Sequence, residues 1–174
     1  KGQSLRKCVE DYHKKAQGNM YIDTSFHLII SDPTPQVLGQ ELPALSKDGY
    51  TSFKVFMTYD DLVLNDKELI EVFDVAKKLK TLVMVHAEGY DSIKYLSDKF
   101  EKEGKTAPYY HAPTRPQIVE REATHRAISH AQIVDIPLMI VHVSGEEALN
   151  QIRWAKDKGI KVFFRNMSSI HLSN

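Results

Sequence analysis

The sequence predicts an α/β fold in which parallel strands alternate with helices. Five segments rich in β-branched and aromatic residues are separated by segments with helical apolar spacing. Two of the strands, Leu82–His86 and Leu138–Val143, are almost continuously apolar, as expected for strands covered on both faces. Such alternation implies right-handed crossovers within one parallel sheet. With 174 residues, of which 42% are apolar, the chain can bury the core of one domain.

Charge and cysteine content narrow the class of protein. Lys plus Arg and Asp plus Glu number 23 each, so no net field favours nucleic acid or an anionic membrane. The single cysteine, Cys8, cannot form an internal disulfide, which favours a reducing, cytoplasmic location. We see no signal peptide and no apolar run long enough to span a membrane. Because residue 1 is a lysine, we expect the chain to begin inside a longer protein.

The first third of the chain contains one clear helix, one strand and one short helix. Apolar residues recur at helical spacing within Ser4–Gln17, Ser4 can cap its start, and Gly18 follows its end. The β-branched segment Met20–Ile30 predicts a strand. A turn with two prolines follows, and Gln36–Leu45 predicts a short helix.

The middle of the chain carries the least usual strand. Ser52–Tyr59 is β-branched and aromatic around one lysine, Lys54. An acidic start near Asn65 opens a helix that runs to Lys80, and the strand Leu82–His86 follows at once. A further amphipathic helix is predicted over residues 92–103.

The last third begins with a long loop, Lys105–Pro116, which contains three prolines. A loop of this length in a compact domain is usually functional or an insertion. The remaining predictions, in order, are a helix over Gln117–Val134, the strand Leu138–Val143, a helix from Gly145 to Lys158, the strand Ile160–Phe164, and a tail Arg165–Asn174 without strong pattern.

Two architectures fit this order of elements, an open doubly wound sheet and a (β/α)8 barrel. The sequence has neither a Gly-x-Gly-x-x-Gly motif nor a P-loop, which weakens the nucleotide-binding sheet. A barrel typically needs about 250 residues, so this chain would supply about five of eight strands. Both architectures place chemistry at the C-terminal ends of strands, where we expect Lys54, His86 and His142.

Lysine and histidine at these positions have both structural and functional interpretations. A lysine in a strand usually extends its charge to solvent, and a strand-end histidine is often only hydrogen-bonded. A buried ammonium is costly, however, and a neutral lysine can react with carbon dioxide to form a carbamate anion. Such an anion can bridge two metal ions, and histidines suit zinc. Lys54, His86 and His142 are therefore candidate metal ligands for amide hydrolysis.

Five segments, in their order along the chain, closely resemble the dihydropyrimidinase and hydantoinase family of cyclic amidohydrolases. They are residues 52–59, 85–89, 111–116, 120–128 and 141–144. The similarity runs from the first helix to about Phe164, and the ordered set is more specific than any one motif.

The resemblance implies part of a (β/α)8 TIM barrel with two zinc ions at its mouth. Lys54 matches the carboxylated lysine (N6-carboxylysine) that bridges the metals, and His86 and His142 match two single histidine ligands. Tyr59 matches the catalytic, substrate-binding tyrosine that stabilises the oxyanion. The implied reaction opens dihydrouracil to N-carbamoyl-β-alanine, and the implied assembly is a homotetramer. Alternatives are a hydantoin or allantoin substrate, or a non-catalytic structural or signalling relative.

Departures from the family pattern limit what the chain alone can do. The family has a His-x-His pair on its first barrel strand and a catalytic aspartate near its last, and this sequence has neither. Gly89 replaces a usual asparagine, and residues 165–174 depart from the pattern. We expect residues 1–174 to form a single partial barrel domain that is inactive and prone to association in isolation.

Other polar residues have ordinary interpretations. Glu88 can orient a metal ligand or make a structural hydrogen bond, and the sequence favours neither. We expect His111 to pack within its proline-rich loop, and His125 and His130 to be ordinary helix residues.

Overall fold

The computed structural model describes residues 2–166 and contains one five-stranded parallel sheet. The strands are β1 (Leu28–Ile29), β2 (Ser52–Phe56), β3 (Leu82–His86), β4 (Leu138–Val143) and β5 (Val162–Asn166). Each strand pairs in parallel with the next one along the chain, in the order β1-β2-β3-β4-β5. An open doubly wound sheet reverses its strand order at a switch point. The uninterrupted order therefore favours the wall of a barrel.

Six α-helices accompany the strands. They are α1 (Leu5–Ala16), α2 (Leu42–Lys47), α3 (Asp66–Leu79), α4 (Tyr90–Lys102), α5 (Gln117–Val134) and α6 (Glu146–Asp157). A π-helical turn, Val37–Glu41, precedes α2, and a 3-10 turn, Pro108–Thr114, lies before α5. Asn65 and Glu68 form a reciprocal capping box at the start of α3, which explains its sharp beginning.

The predicted strand at Met20–Ile30 is mostly wrong, because only Leu28 and Ile29 form β1. A strand needs a backbone partner, and the neighbouring strand β2 begins at Ser52. Since Leu28 pairs with Phe53, the residues before His27 have no β2 backbone beside them. Tyr21 and Ile22 are accordingly exposed despite their apolar side chains.

Smaller differences concern where elements end. The predicted strand Ser52–Tyr59 ends at Phe56, because the chain turns and Tyr59 takes a positive φ of 71°. The last strand lies at Val162–Asn166, two residues later than predicted. The long loop Lys105–Pro116 is shortened by its 3-10 turn.

The two faces of the sheet differ in what covers them. Alternate strand residues such as Phe53, Val55 and Val83 are fully buried against the helices, together with Phe73 of α3 and Ile152 of α6. The other face lines a cleft of about 1130 Å³. One row across this cleft face contains, in register, Ile29, Lys54, Met84 and Met139.

Two predictions concern the chain as a whole. Within the described residues, no helix is long and apolar enough to cross a membrane. Arg165 and Asn166 belong to β5, while the rest of the atypical tail, residues 167–174, lies outside the described residues. The single partial domain over residues 1–174 stays a prediction.

Candidate metal centre

Lys54 is a solvent-excluded amine without a polar partner. Its Nζ is buried and makes no hydrogen bond to any described residue. It lies between Ile29 of β1 and Met84 of β3 in the sheet register, and 3.6 Å above the centroid of the Phe56 ring. Burial lowers the pKa of Lys54 to about 8, so a sizeable fraction of the amine is neutral near that pH. The snorkelling interpretation does not describe this lysine.

His86 ends β3 and is held through its side chain. Its Nε2 lies 2.8 Å from Oε2 of Glu88, and its ring stacks on Phe56 with 5.6 Å between centroids. The other carboxylate oxygen of Glu88 lies 3.8 Å from Nε of Arg115. The hydrogen bond from His86 lowers the pKa of Glu88, outweighing burial, which acts in the opposite direction.

His142 lies near the end of β4 in an irregular stretch of strand. The pairing of β4 with β5 shifts register between Ile140 and Val143, and His142 has a positive φ of 60°. Such backbone costs a non-glycine residue about 1 kcal/mol and is concentrated at functional sites. The His142 ring lies 5.3 Å from that of His86, between centroids. Burial, followed by the charges of His86 and Lys54, lowers the pKa of His142.

Tyr59 follows β2 and also has unusual backbone geometry. Its φ is 71°, and its carbonyl accepts hydrogen bonds from the amides of Leu62 and Val63. Its ring lies 5.2 Å from that of His86, and 42% of the residue is exposed. Burial, with help from Glu88, raises the pKa of Tyr59, so the phenol stays protonated and can donate a hydrogen bond.

Glu120 of α5 is a site residue to which the sequence analysis assigned no role. Its carboxylate accepts hydrogen bonds from the backbone N–H groups of Ser144, at 2.7 Å, and Gly145, at 2.8 Å. It therefore fixes the loop that follows His142. Burial raises the pKa of Glu120, although both amide bonds act in the opposite direction. The sequence signal for this role is Gly145. A glycine N-cap has no side chain that can cap the start of α6, so another residue must bond to the free N–H groups there.

The structure brings the predicted site residues together at one side of the sheet. Lys54 and His142 line the same cleft, and the rings of Tyr59 and His142 both approach His86. Lys54 lies in the middle of β2, one layer below the strand ends, and not at its C-terminal end. Among residues 2–166, no three His, Cys, Asp or Glu side chains converge where they could hold a metal ion.

Three further histidines lie in α5 or in the 3-10 turn before it. His125 contacts Gln151 at 2.9 Å, and His130 lies 3.2 Å from Asp66 of α3. Both are helix residues, as expected. His111 lies 3.3 Å from Arg115 within the 3-10 turn region.

Comparison with known proteins shows which proteins this chain is similar to. No protein-family model matches the chain. The D-hydantoinase of Ralstonia pickettii is 47% identical over 162 residues, which are 92% of this chain and 35% of that protein. The chain belongs to the D-hydantoinase and dihydropyrimidinase family. Rat (Rattus norvegicus) dihydropyrimidinase is 36% identical over 165 residues, 94% of this chain and 32% of its own length.

A solved member of the family confirms the architecture. The crystal structure of dihydropyrimidinase from Brevibacillus agri matches with a TM-score of 0.91 at 43% identity, over 94% of this chain and 36% of that one. The five parallel strands and their helices therefore correspond to part of a TIM barrel, which confirms the predicted fold class. The chain spans about a third of the length of the relatives it matches.

Proposed function

We propose that this sequence forms the metal-binding wall of an enzyme that hydrolyses the ring amide of a cyclic ureide. The observation that carries the proposal is the solvent-excluded, unpaired Lys54 amine in one cleft with His142. Family membership supports the same class of reaction, because the relatives are D-hydantoinases and dihydropyrimidinases.

The residues of this chain fit one part of a two-zinc site. As a carbamate, Lys54 would offer two oxygens that share one negative charge, and His86 and His142 would offer imidazole nitrogens. Three protein ligands with one open position is the usual number for a catalytic zinc ion. When bound, the zinc pair would supply a Lewis acid and an activated water. Ligands for the second ion would come from outside residues 2–166.

The surroundings of Lys54 favour formation of the carbamate. Apolar neighbours disfavour the ammonium, so the neutral amine is available to react. Its lone pair would attack the carbon of carbon dioxide, and the nitrogen would lose a proton to solvent. The product is an anion in a cleft with two histidines nearby, and metal ions would compensate its charge.

Tyr59 would act on the substrate carbonyl. Its protonated phenol lies on the His86 side of the site and can donate a hydrogen bond to an oxygen that gains negative charge. Tyr59 lies in a turn and has a positive φ. Hydrogen bonds from the backbone N–H groups of Leu62 and Val63 to its carbonyl hold that turn in place.

The substrate is proposed as a class, the cyclic ureides, of which three members are compared. The resemblance predicts the six-membered dihydrouracil, which would open to N-carbamoyl-β-alanine. The higher identity to a D-hydantoinase than to a dihydropyrimidinase makes the five-membered hydantoin its competitor. Allantoin is a third arm of the same test. The cytoplasmic location and the homotetramer stay predictions.

A chimera tests the proposal with the residues of this chain. The matching segment of the Ralstonia pickettii D-hydantoinase is replaced by this sequence, and zinc content and ring opening are measured with dihydrouracil, hydantoin and allantoin. We expect bound zinc and hydrolysis of at least one ring. The same chimera with Lys54→Ala should lose both, while a Lys67→Ala control, at an exposed position of α3, should keep both. Unchanged zinc and rate in the Lys54→Ala chimera would contradict the proposal.

A further inference from the structure

A chain of three polar side chains leads from the loop before α5 to His86. Nε of Arg115 lies 3.8 Å from Oε1 of Glu88, and Oε2 of Glu88 lies 2.8 Å from Nε2 of His86. The three side chains are 24%, 19% and 15% exposed, in that order, so solvent screens them only in part. Each carboxylate oxygen of Glu88 thus has its own partner.

The local fold explains how Arg115 reaches this position. Its backbone N–H donates to the carbonyl of Ala112, which closes the 3-10 turn. Its Nη1 lies 3.3 Å from Oγ1 of the buried Thr114, whose hydroxyl donates to the carbonyl of His111. The loop Lys105–Pro116 therefore places an arginine near the end of β3.

Gly89 lets the start of α5 come close behind Glu88. Its N–H donates to the carbonyl of Val119 at 3.3 Å, and a Cβ at this position would lie 3.0 Å from Oε2 of Glu122. Any side chain at this position would force that carboxylate to move. The glycine thus fits the close approach of α5.

The chemistry of the pair fixes which nitrogen of His86 holds the proton. A carboxylate that is paired with an arginine is ionised and can only accept hydrogen bonds. The contact at 2.8 Å therefore requires a proton on Nε2 of His86. In a neutral imidazole the other nitrogen, Nδ1, then carries a lone pair.

We propose that Arg115 and Glu88 are positioning residues that hold His86 in the Nε2–H tautomer and present Nδ1 as its ligand atom. The metal part of this inference rests on the proposed function, whereas the tautomer does not. Bonds of this kind between a ligand histidine and a carboxylate orient the ring and raise its basicity. Arg115 orients the carboxylate of Glu88, because it pairs with Oε1 while Oε2 accepts the hydrogen bond from His86.

The test reads the tautomer directly. Nitrogen-15 NMR of the imidazole nitrogens is recorded for the full 174-residue chain without metal. We expect His86 to give a protonated Nε2 and an unprotonated Nδ1. In Glu88→Ala the two tautomers should become mixed, and Arg115→Ala should shift the population in the same direction by a smaller amount. The controls Glu122→Ala and Arg121→Ala remove a carboxylate and an arginine that pair elsewhere, and they should leave His86 unchanged.

Two results would overturn the inference. One is a wild-type His86 protonated on Nδ1, and the other is an unchanged tautomer in Glu88→Ala. If that variant fails to fold, Glu88→Gln and Arg115→Lys give the same comparison, because a neutral amide holds the Nε2 proton less firmly. An Arg115→Ala spectrum identical to the wild type would remove Arg115 from the pair.

Zinc titration separates this inference from the proposed function. If both hold, zinc should shift the Nδ1 signal of His86, and Glu88→Ala should weaken zinc binding about 10- to 100-fold. A fixed tautomer with no zinc response at His86 would support the positioning pair and contradict the proposed metal site.

Discussion

The rings of His86 and His142 approach each other at one side of the sheet, but the two residues are held in opposite ways. His86 is largely buried, stacks on Phe56 and bonds through its side chain to Glu88. His142 is exposed and has a positive φ, and its position depends on the backbone that follows it. Glu120 holds that backbone through the N–H groups of Ser144 and Gly145.

The two neighbouring histidines therefore depend on two kinds of support. A carboxylate acts on the imidazole at β3 and on the peptide backbone at β4. Changes at Glu88 should therefore alter the chemistry of His86 with little effect on the fold. Changes at Glu120 should alter the fold around His142 and leave the histidine ring chemically unchanged.

The largest expected effect is the loss of stability in Glu120→Ala. The variant loses two hydrogen bonds from backbone N–H groups and leaves the buried N–H of Gly145 unpaired, so we expect a cost of about 2–3 kcal/mol. Urea unfolding measures it. Glu146→Ala, an exposed residue in the first turn of α6, is the matched control and should cost less than about 1 kcal/mol. Equal losses in the two variants would show that Glu120 does not hold this loop.

A matched pair of substitutions separates the two histidines themselves. We expect His86→Asn to destabilise the fold by about 1–2 kcal/mol, because a partly buried ring and its hydrogen bond are lost. We expect His142→Asn to be neutral or to stabilise by up to about 0.5 kcal/mol, since asparagine tolerates left-handed backbone better. Thermal or urea unfolding of both variants is the measurement. A larger loss at His142 than at His86 would reverse the comparison.

The smallest expected effect is a pH dependence of opposite sign at the two carboxylates. The folded pKa of Glu88 lies below its ordinary value of 4.5, so its contribution to stability is present above that pH and is lost as pH falls. The folded pKa of Glu120 lies above 4.5, so its contribution is present below that pH and is lost as pH rises through the folded pKa.

Unfolding free energies at a series of pH values test this contrast. The difference between wild type and Glu88→Gln should shrink below pH 4.5. The difference between wild type and Glu120→Gln should shrink above it. Carbon-13 titration of the two side-chain carboxyl groups gives an independent check, with the Glu120 midpoint higher. Midpoints in the reverse order would contradict the account.

The sequence predicted the fold well where apolar pattern and turn chemistry agree. Leu82–His86, Gln117–Val134 and Leu138–Val143 form with the predicted bounds. The prediction failed at Met20–Ile30, because strand length depends on where the partner strand begins. Local pattern carries no information about that distant backbone.

The sequence carries a local signal for the candidate ligands but none for the residues that support them. Lys54 is unusual in an apolar strand, and the histidines end strands, so each carries a local signal. Arg115 and Glu120 act from the start of α5 on loops that follow other strands. Their roles depend on tertiary contacts. The positive φ of His142 likewise occurs where the register between β4 and β5 shifts.

The central claim is that Lys54, His86 and His142 form one metal site, and zinc binding tests it most directly. The full 174-residue chain is titrated with zinc in carbon-13 bicarbonate while carbamate carbon and imidazole signals are followed by NMR. The account predicts one carbamate, on Lys54, and joint shifts of His86 and His142. In Lys54→Met the carbamate should vanish, and zinc binding should weaken at least about 10-fold. Equal zinc affinity in Lys54→Met, or shifts at His125 and His130 in place of the cleft histidines, would contradict the claim.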